Sequence, residues 1–88
     1  MKQNGDRRLE LLSALERLRA EMGYSPSYHE LKQALGWSST DVVWRWAWRL
    51  FVEGCVAIDY GRARTARLTE KGRRTLLAGQ KPAAGGQG

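Results

Sequence analysis

A single glycine, Gly36, separates two stretches of helical pattern and leaves almost no room for a loop between them. Before it, Ser27 and Glu30 have the spacing of a capping box, in which two side chains accept hydrogen bonds from backbone N–H groups at the start of a helix. After it, the next helical pattern runs until a second glycine, Gly54. Glycine adopts the left-handed conformation that a tight interhelical turn needs. A short helix, a tight turn and a longer helix together indicate a helix-turn-helix.

Apolar residues recur at helical spacing in three segments before Gly54. The predicted helices are Asp6–Met22, Ser27–Leu35 and Ser39–Glu53. Their inward-facing residues are predicted to be Leu11, Leu12, Leu15, Leu18 and Met22 in the first helix, Leu31, Ala34 and Leu35 in the second, and Val43, Ala47, Leu50 and Phe51 in the third. Either Ser38 or Ser39 can cap the third helix, because both precede its first turn.

The sequence after Gly54 is typical of a β-hairpin followed by a helix. The segment Cys55–Ile58 is short, apolar and partly β-branched, and Thr65–Leu68 can return beside it as a second strand. Thr69 can cap a final helix that contains Leu76 and Leu77. The predicted fold is therefore a mainly helical α+β winged helix-turn-helix, with a three-helix core, a two-stranded wing and a short C-terminal helix.

The length of the chain limits it to one compact domain, since 88 residues divided between two domains would give neither a sufficient core. We predict that residues 1–78 form this domain. Residues 79–88 contain four glycines and Pro82 and are predicted to form a flexible tail.

The positive charge of the chain is concentrated in its last third. The formal net charge is +6, yet Met1 to Asp59 contains eight basic and eight acidic residues. From Tyr60 onward, seven Lys or Arg residues stand against one Glu. Basic residues grouped on one segment favour nucleic acid as the partner, and we predict that the wing arginines contact phosphates or the minor groove. These arginines are Arg62, Arg64 and Arg67.

Several classes of protein are disfavoured by the composition. With one cysteine, Cys55, and one histidine, His29, the chain cannot form an internal disulfide or assemble a four-ligand zinc site, so both are expected to be structural. We find no nucleophile with a base and an acid and no phosphate-cradling glycine motif, and we therefore expect no enzyme, metal or cofactor. No segment approaches the roughly 20 apolar residues that span a bilayer, and a cytoplasmic protein is expected.

The run from Gly23 to Trp37 and the helix that ends at Gly54 resemble the N-terminal DNA-binding domain of the LexA repressor family. The resemblance covers roughly Asp6 to Leu68, and it rests on Pro26, Ser27, Glu30, Leu31, Leu35, Gly36 with an aromatic residue after it, and Gly54 eighteen residues later. The segment from Leu68 to Arg73 is similar to the one that leads into the last helix of MarR-type bacterial regulators. These resemblances imply a bacterial or phage protein.

The LexA resemblance implies a transcriptional regulator, a repressor, that binds double-stranded DNA with its third helix in the major groove. The base-contacting positions of that family fall at Ser39, Asp41, Val42, Trp44 and Arg45. Thr40 and Arg49 complete the predicted DNA-binding set on this helix. Repressors of this class act as pairs on palindromes, which implies a homodimer. LexA proteins carry a self-cleaving protease domain after this module; the present sequence has none, so we expect no derepression by cleavage.

Two side chains of the third helix have competing interpretations. Arg45 can bind a guanine edge in bidentate fashion, or it can pair with Asp41 four residues earlier. Asp41 can accept a hydrogen bond from cytosine, or it can stabilise the exposed N–H groups of the first helical turn.

The tryptophans fit the LexA pattern least well, because helices of that family are polar at the equivalent positions. Trp37 is predicted to be buried. Trp44 and Trp48 lie four residues apart, away from the inward stripe, with Trp46 at its flank. This Trp face supports an alternative function, a small protein-binding module of the phage inhibitor or adaptor type. The rings can also stack on unpaired bases, or the first or last helix can cover them.

Overall fold

Four helices and a two-stranded sheet make up the described part of the chain, which comprises residues 7–59, 61–62 and 64–80 of a computed structural model. The elements are α1 (Arg7–Met22), α2 (Tyr28–Leu35), α3 (Thr40–Val52), β1 (Val56–Ala57), β2 (Arg67–Leu68) and α4 (Glu70–Gln80). The strands pair in antiparallel fashion, with Val56 opposite Leu68. This arrangement confirms the predicted winged helix-turn-helix.

The capping box at the start of α2 is formed as predicted. The Ser27 hydroxyl oxygen accepts a hydrogen bond from the Glu30 N–H at 3.1 Å, and the Glu30 carboxylate accepts one from the Ser27 N–H at 2.8 Å. Gly36 follows the helix with a φ of 71°, and its N–H donates to the Lys32 carbonyl oxygen. These hydrogen bonds fix where α2 begins and ends, and the chain therefore reaches α3 within four residues.

Ser39, rather than Ser38, caps α3. Its extended backbone places the side-chain oxygen where it accepts a hydrogen bond from the Val42 N–H at 3.3 Å. The cap satisfies one of the N–H groups at the start of the helix. It also fixes the first turn of α3, to which several of the predicted DNA-binding residues belong.

The core lies where α1, α2, α3 and the sheet meet. Leu11, Leu31 and Leu50 are fully buried there, one from each of the first three helices. Trp37 and Cys55 are also buried, as predicted. The other buried apolar residues of the core are Leu12, Ala14, Leu15, Val43, Ala47, Val56, Ala66 and Leu76.

Two residues predicted to face inward are exposed instead. Ala34 lies on the outside of α2, where only Leu31 is fully buried. Phe51 is 37% exposed, because the buried line of α3 runs through Val43, Ala47 and Leu50. Helical periodicity identifies an apolar face, but the neighbouring elements decide how wide a strip of that face they cover.

The final helix is held against the rest of the domain at both of its ends. Thr69 caps α4 by accepting a hydrogen bond from the Gly72 N–H, and its hydroxyl donates to the Gly54 carbonyl oxygen at 2.6 Å. At the other end, Gly79 packs against the Leu9 side chain of α1. The helix thus includes Gly79 and Gln80, two residues assigned above to the flexible tail. The remainder of that predicted tail, residues 81–88, lies outside the described residues.

Candidate nucleic-acid interface

The outer surface of α3 presents most of the residues predicted to contact DNA. Thr40, Asp41, Trp44, Arg45 and Arg49 are all exposed. Ser39 and Val42 are half-buried at the start of the helix. The Ser39 oxygen accepts the capping hydrogen bond from the Val42 N–H, so this side chain positions the helix.

The side chains of Asp41 and Arg45 form an ion pair on the outside of α3. The Arg45 guanidinium lies 3.0 Å from the Asp41 carboxylate, and the two side chains are 74% and 69% exposed. In the structure without DNA, Arg45 therefore pairs with Asp41. Exposed pairs of this spacing contribute only about 0.3–0.5 kcal/mol, so a guanine edge can displace the carboxylate at little cost.

The three wing arginines occupy different surroundings. Arg64 binds both Glu30 carboxylate oxygens, at 2.8 and 3.2 Å. Arg67 donates to the Thr65 carbonyl oxygen at 2.7 Å and lies 3.6 Å from the Asp59 carboxylate. Arg62 is exposed and takes part in none of the ion pairs found among the described residues. Of the three, Arg62 is the one whose charge no acidic side chain of the described residues compensates.

The Glu30–Arg64 pair shifts the pKa of both groups. The hydrogen bond from Arg64 lowers the pKa of the Glu30 carboxyl below its ordinary value, and the Ser27 backbone N–H lowers it further. The same hydrogen bond raises the pKa of the Arg64 guanidinium. Both groups are therefore charged at neutral pH.

Three aromatic rings form a ladder along the exposed side of α3. The rings of Trp44 and Trp48 are stacked, with centroids 5.4 Å apart and planes 7° from parallel. Trp48 in turn stacks on Phe51 at 5.0 Å. We call Trp44, Trp48 and Phe51 the aromatic ladder; these residues are 43%, 40% and 37% exposed.

Trp46 does not join the aromatic ladder. It is half-buried, packs against the core, and has the Arg49 guanidinium 5.3 Å from its ring centroid. The structure thus brings together two of the three tryptophans grouped by the sequence analysis and adds Phe51. The spacing contains a signal for this, because Phe51 lies three residues after Trp48 and seven after Trp44.

A cavity of about 180 Å³ lies between α3, the wing and the start of α2. Its lining includes the side chains of Trp44, Trp48, Ile58 and Tyr28, together with Arg62. Partial burial raises the pKa of the Tyr28 phenol, so this group is neutral at physiological pH. The cavity joins the aromatic ladder to the uncompensated wing arginine, which the sequence analysis treated as separate features.

Glu30, Tyr24 and Tyr28 are site residues that the sequence analysis missed. Glu30 was assigned only to the capping box, yet its carboxylate also holds the wing through Arg64. The Tyr24 ring lies 5.4 Å from the Arg64 guanidinium. Tyr28 contributes to the cavity. Contacts between segments so distant in sequence leave no local pattern that reveals them.

Within the described ranges, no three His, Cys, Asp or Glu side chains converge to hold a metal ion. In that same part of the chain, no helix has the length and apolar character needed to cross a bilayer.

The chain was compared with known protein families. The family described as the LexA DNA binding domain matches residues 1–65, which include α1, α2, α3, β1 and the wing up to Thr65. No curated protein matches the chain.

Proposed function

Because this chain belongs to the LexA DNA-binding domain family and is a DNA-binding regulator, we propose that it represses transcription by binding duplex DNA through α3 and the wing. The observation that carries the proposal is that the exposed side of α3 and the uncompensated Arg62 border one cavity, so helix and wing offer a continuous surface. The proposed role is non-catalytic and cytoplasmic.

In the proposed complex, α3 lies in the major groove. Arg45 leaves Asp41 to bind a guanine edge, while Thr40 and Arg49 contact bases or flanking phosphates. The ion pair that Arg45 gives up is exposed and weak, which supports this exchange.

The wing binds the DNA backbone beside the groove in this proposal. Arg62 contacts a phosphate directly, since none of the ion pairs in the described part of the chain holds it. Before they can bind phosphate, Arg64 must break its ion pair with Glu30, and Arg67 must break its ion pair with Asp59. Both acids are at least partly exposed, so the exchange takes place in water and not in the core.

A gel mobility shift on duplex DNA tests the proposal. Substituting Arg62→Ala together with Arg64→Ala should abolish a shift that weakens with salt. If three to six basic residues touch phosphate, the slope of log K against log salt should be roughly −3 to −5. The control is Arg17→Ala with Arg74→Ala, which removes the same charge from exposed pairs on α1 and α4 and should leave the shift in place.

Selection of bound sequences from random duplex DNA tests the repressor and homodimer proposals together. A homodimer on DNA requires two half-sites related by twofold symmetry, with centres one helical turn or a multiple of it apart. An enriched palindrome supports the dimer, and an enriched single half-site contradicts it. Placing the enriched site in a promoter then measures repression directly.

The second candidate function is a protein-binding module that uses the Trp face. The observation that favours it is the exposed apolar surface of α3, where Val52 is 68% exposed beside the aromatic ladder. Tryptophan is enriched at the centres of protein interfaces. The test is Trp44→Ala with Trp48→Ala. If wild-type protein gives no DNA shift at low salt, yet forms a complex with a host protein that these substitutions abolish, the repressor proposal is wrong.

A further inference from the structure

The cavity between α3 and the wing has the size of one aromatic ring. Its volume is about 180 Å³, and Trp44 and Gly61 are among the residues that line it. An apolar cavity of about 150 Å³ in another protein is large enough to bind benzene. A drug-sized ligand needs about 300–1,000 Å³, so this cavity suits a single planar group.

The cavity walls are suited to stacking. Trp44 is the end ring of the aromatic ladder and lies nearly parallel to Trp48, so a further planar ring can extend the stack from Trp44. Ile58 and the neutral Tyr28 complete the apolar lining. An aromatic ring that enters the cavity therefore replaces its contacts with water by contacts with aromatic and apolar side chains.

The charged residues that line the cavity favour an anionic aromatic group. Arg62 and Asp59 are its charged residues, and the Asp59 carboxylate lies 3.6 Å from the Arg67 guanidinium. The Asp59 charge is thus offset by Arg67, whereas none of the ion pairs among the described residues offsets Arg62. A nucleotide combines a planar base with a phosphate, while an aromatic protein side chain brings no charge for Arg62.

We propose that this cavity binds one unpaired nucleobase, which stacks on the indole of Trp44, the end ring of the aromatic ladder, while its phosphate pairs with Arg62. The inference rests on the proposed function only in requiring that the α3 and wing surface faces nucleic acid. A base within an intact duplex has both faces stacked on its neighbours, so it must leave the stack to enter. The protein therefore prefers DNA that offers an extrahelical base beside its duplex site.

Three duplexes of the same flanking sequence test the proposal: one fully paired, one with a single bulged thymine, and one with an abasic bulge. The abasic bulge bends the duplex as the thymine bulge does but offers no ring. Stacking of one base on aromatic side chains changes affinity by about fivefold to 150-fold. We expect wild-type protein to bind the thymine bulge at least fivefold more tightly than either other duplex, with quenched tryptophan fluorescence.

Variants assign this preference to the cavity. Trp44→Ala should bring the ratio of the affinities for the thymine and abasic bulges to about one, a ratio from which any common change in duplex binding cancels. Trp46→Phe is the matched control, because Trp46 lies outside the cavity, and the preference should survive it. The comparison of duplexes uses wild-type protein alone, so a variant that fails to fold leaves the test intact.

The possible failures can be told apart. Equal binding of all three duplexes overturns the inference and leaves the proposed function standing. A thymine preference that survives Trp44→Ala in folded protein also overturns it. If no duplex is bound even at low salt, the proposed function itself fails, and the inference fails with it.

Discussion

The guanidinium of Arg64 on the wing binds both carboxylate oxygens of Glu30, the residue that completes the capping box of α2. One carboxylate therefore serves two structures, the start of a helix and the position of the wing. Arg64 adopts a φ of 59°, a left-handed conformation that is unfavourable for a residue other than glycine. In this conformation the Arg64 side chain is held between the Glu30 carboxylate and the Tyr24 ring.

Removing the Glu30 charge should strengthen DNA binding. In Glu30→Gln the side-chain oxygen still accepts the Ser27 N–H, so α2 keeps its cap, but Arg64 loses its ionic partner. The freed guanidinium can then pair with phosphate, and the salt slope should steepen by about one. Fluorescence anisotropy at several salt concentrations measures this. Glu21→Gln on α1 is the control, and weaker binding by Glu30→Gln would mean that the pair is needed to position the wing.

The stability of the domain should depend on the ionisation of Glu30. Its pKa is lowered in the folded protein, chiefly by the hydrogen bond from Arg64. The stabilisation is therefore fully present above the pKa of an unfolded glutamate, about 4.3, and is lost as the pH falls through the lower folded value. As the pH is lowered from about 6 to about 3, the urea concentration at the midpoint of unfolding should fall more steeply for wild type than for Glu30→Gln. Parallel curves would contradict this assignment.

Gly72 should not tolerate a side chain. A Cβ atom at this position of α4 would overlap the Cys55 carbonyl oxygen, which belongs to the backbone and cannot move aside. Overpacking costs about 1–3 kcal/mol and outweighs the gain of up to about 1 kcal/mol from replacing glycine in a helix. We expect Gly72→Ala to lower the free energy of unfolding in urea titrations. Gly79→Ala is the control, because its Cβ meets only the flexible Leu9 side chain, and a larger loss there would contradict this explanation.

Asp41→Asn should tighten DNA binding while it slightly weakens the helix. The substitution removes a negative charge that would lie beside phosphates and releases Arg45 from its ion pair. An acid in the first turn stabilises a helix by about 0.3–1 kcal/mol, so the variant should unfold at a lower urea concentration. Anisotropy titrations on a duplex check the affinity. Glu70→Gln, which breaks an equivalent pair on α4, should leave affinity unchanged, and an unchanged affinity in Asp41→Asn would rule out Arg45 as a base contact.

The helices of this fold could be read from the sequence because their signals are local. Ser27, Glu30 and Gly36 define α2 through hydrogen bonds that span no more than four residues. Ser39 and Thr69 cap α3 and α4 in the same way, through N–H groups three residues later. These predictions hold because caps and turns are satisfied within a single turn of backbone.

The width of each buried face and the partners of the wing arginines depend on more distant residues. Phe51 belongs to the apolar pattern of α3 yet lies in the aromatic ladder, because the core covers only one side of that helix. Charge counting placed the basic excess in the last third of the chain but could not distinguish Arg62 from Arg64. Their environments differ because one of them meets Glu30, 34 residues earlier.

The sequence alone therefore determined the helix-turn-helix, its caps and the basic character of the wing, since each depends on residues close together in the chain. The tertiary structure decided which charges are compensated and which aromatic rings meet. Packing of α1, α2 and α3 around the core sets the position of the wing, and that position brings Trp44, Trp48 and Arg62 to one cavity. Long-range contacts of this kind follow from how the elements pack and leave no periodic signal in the sequence.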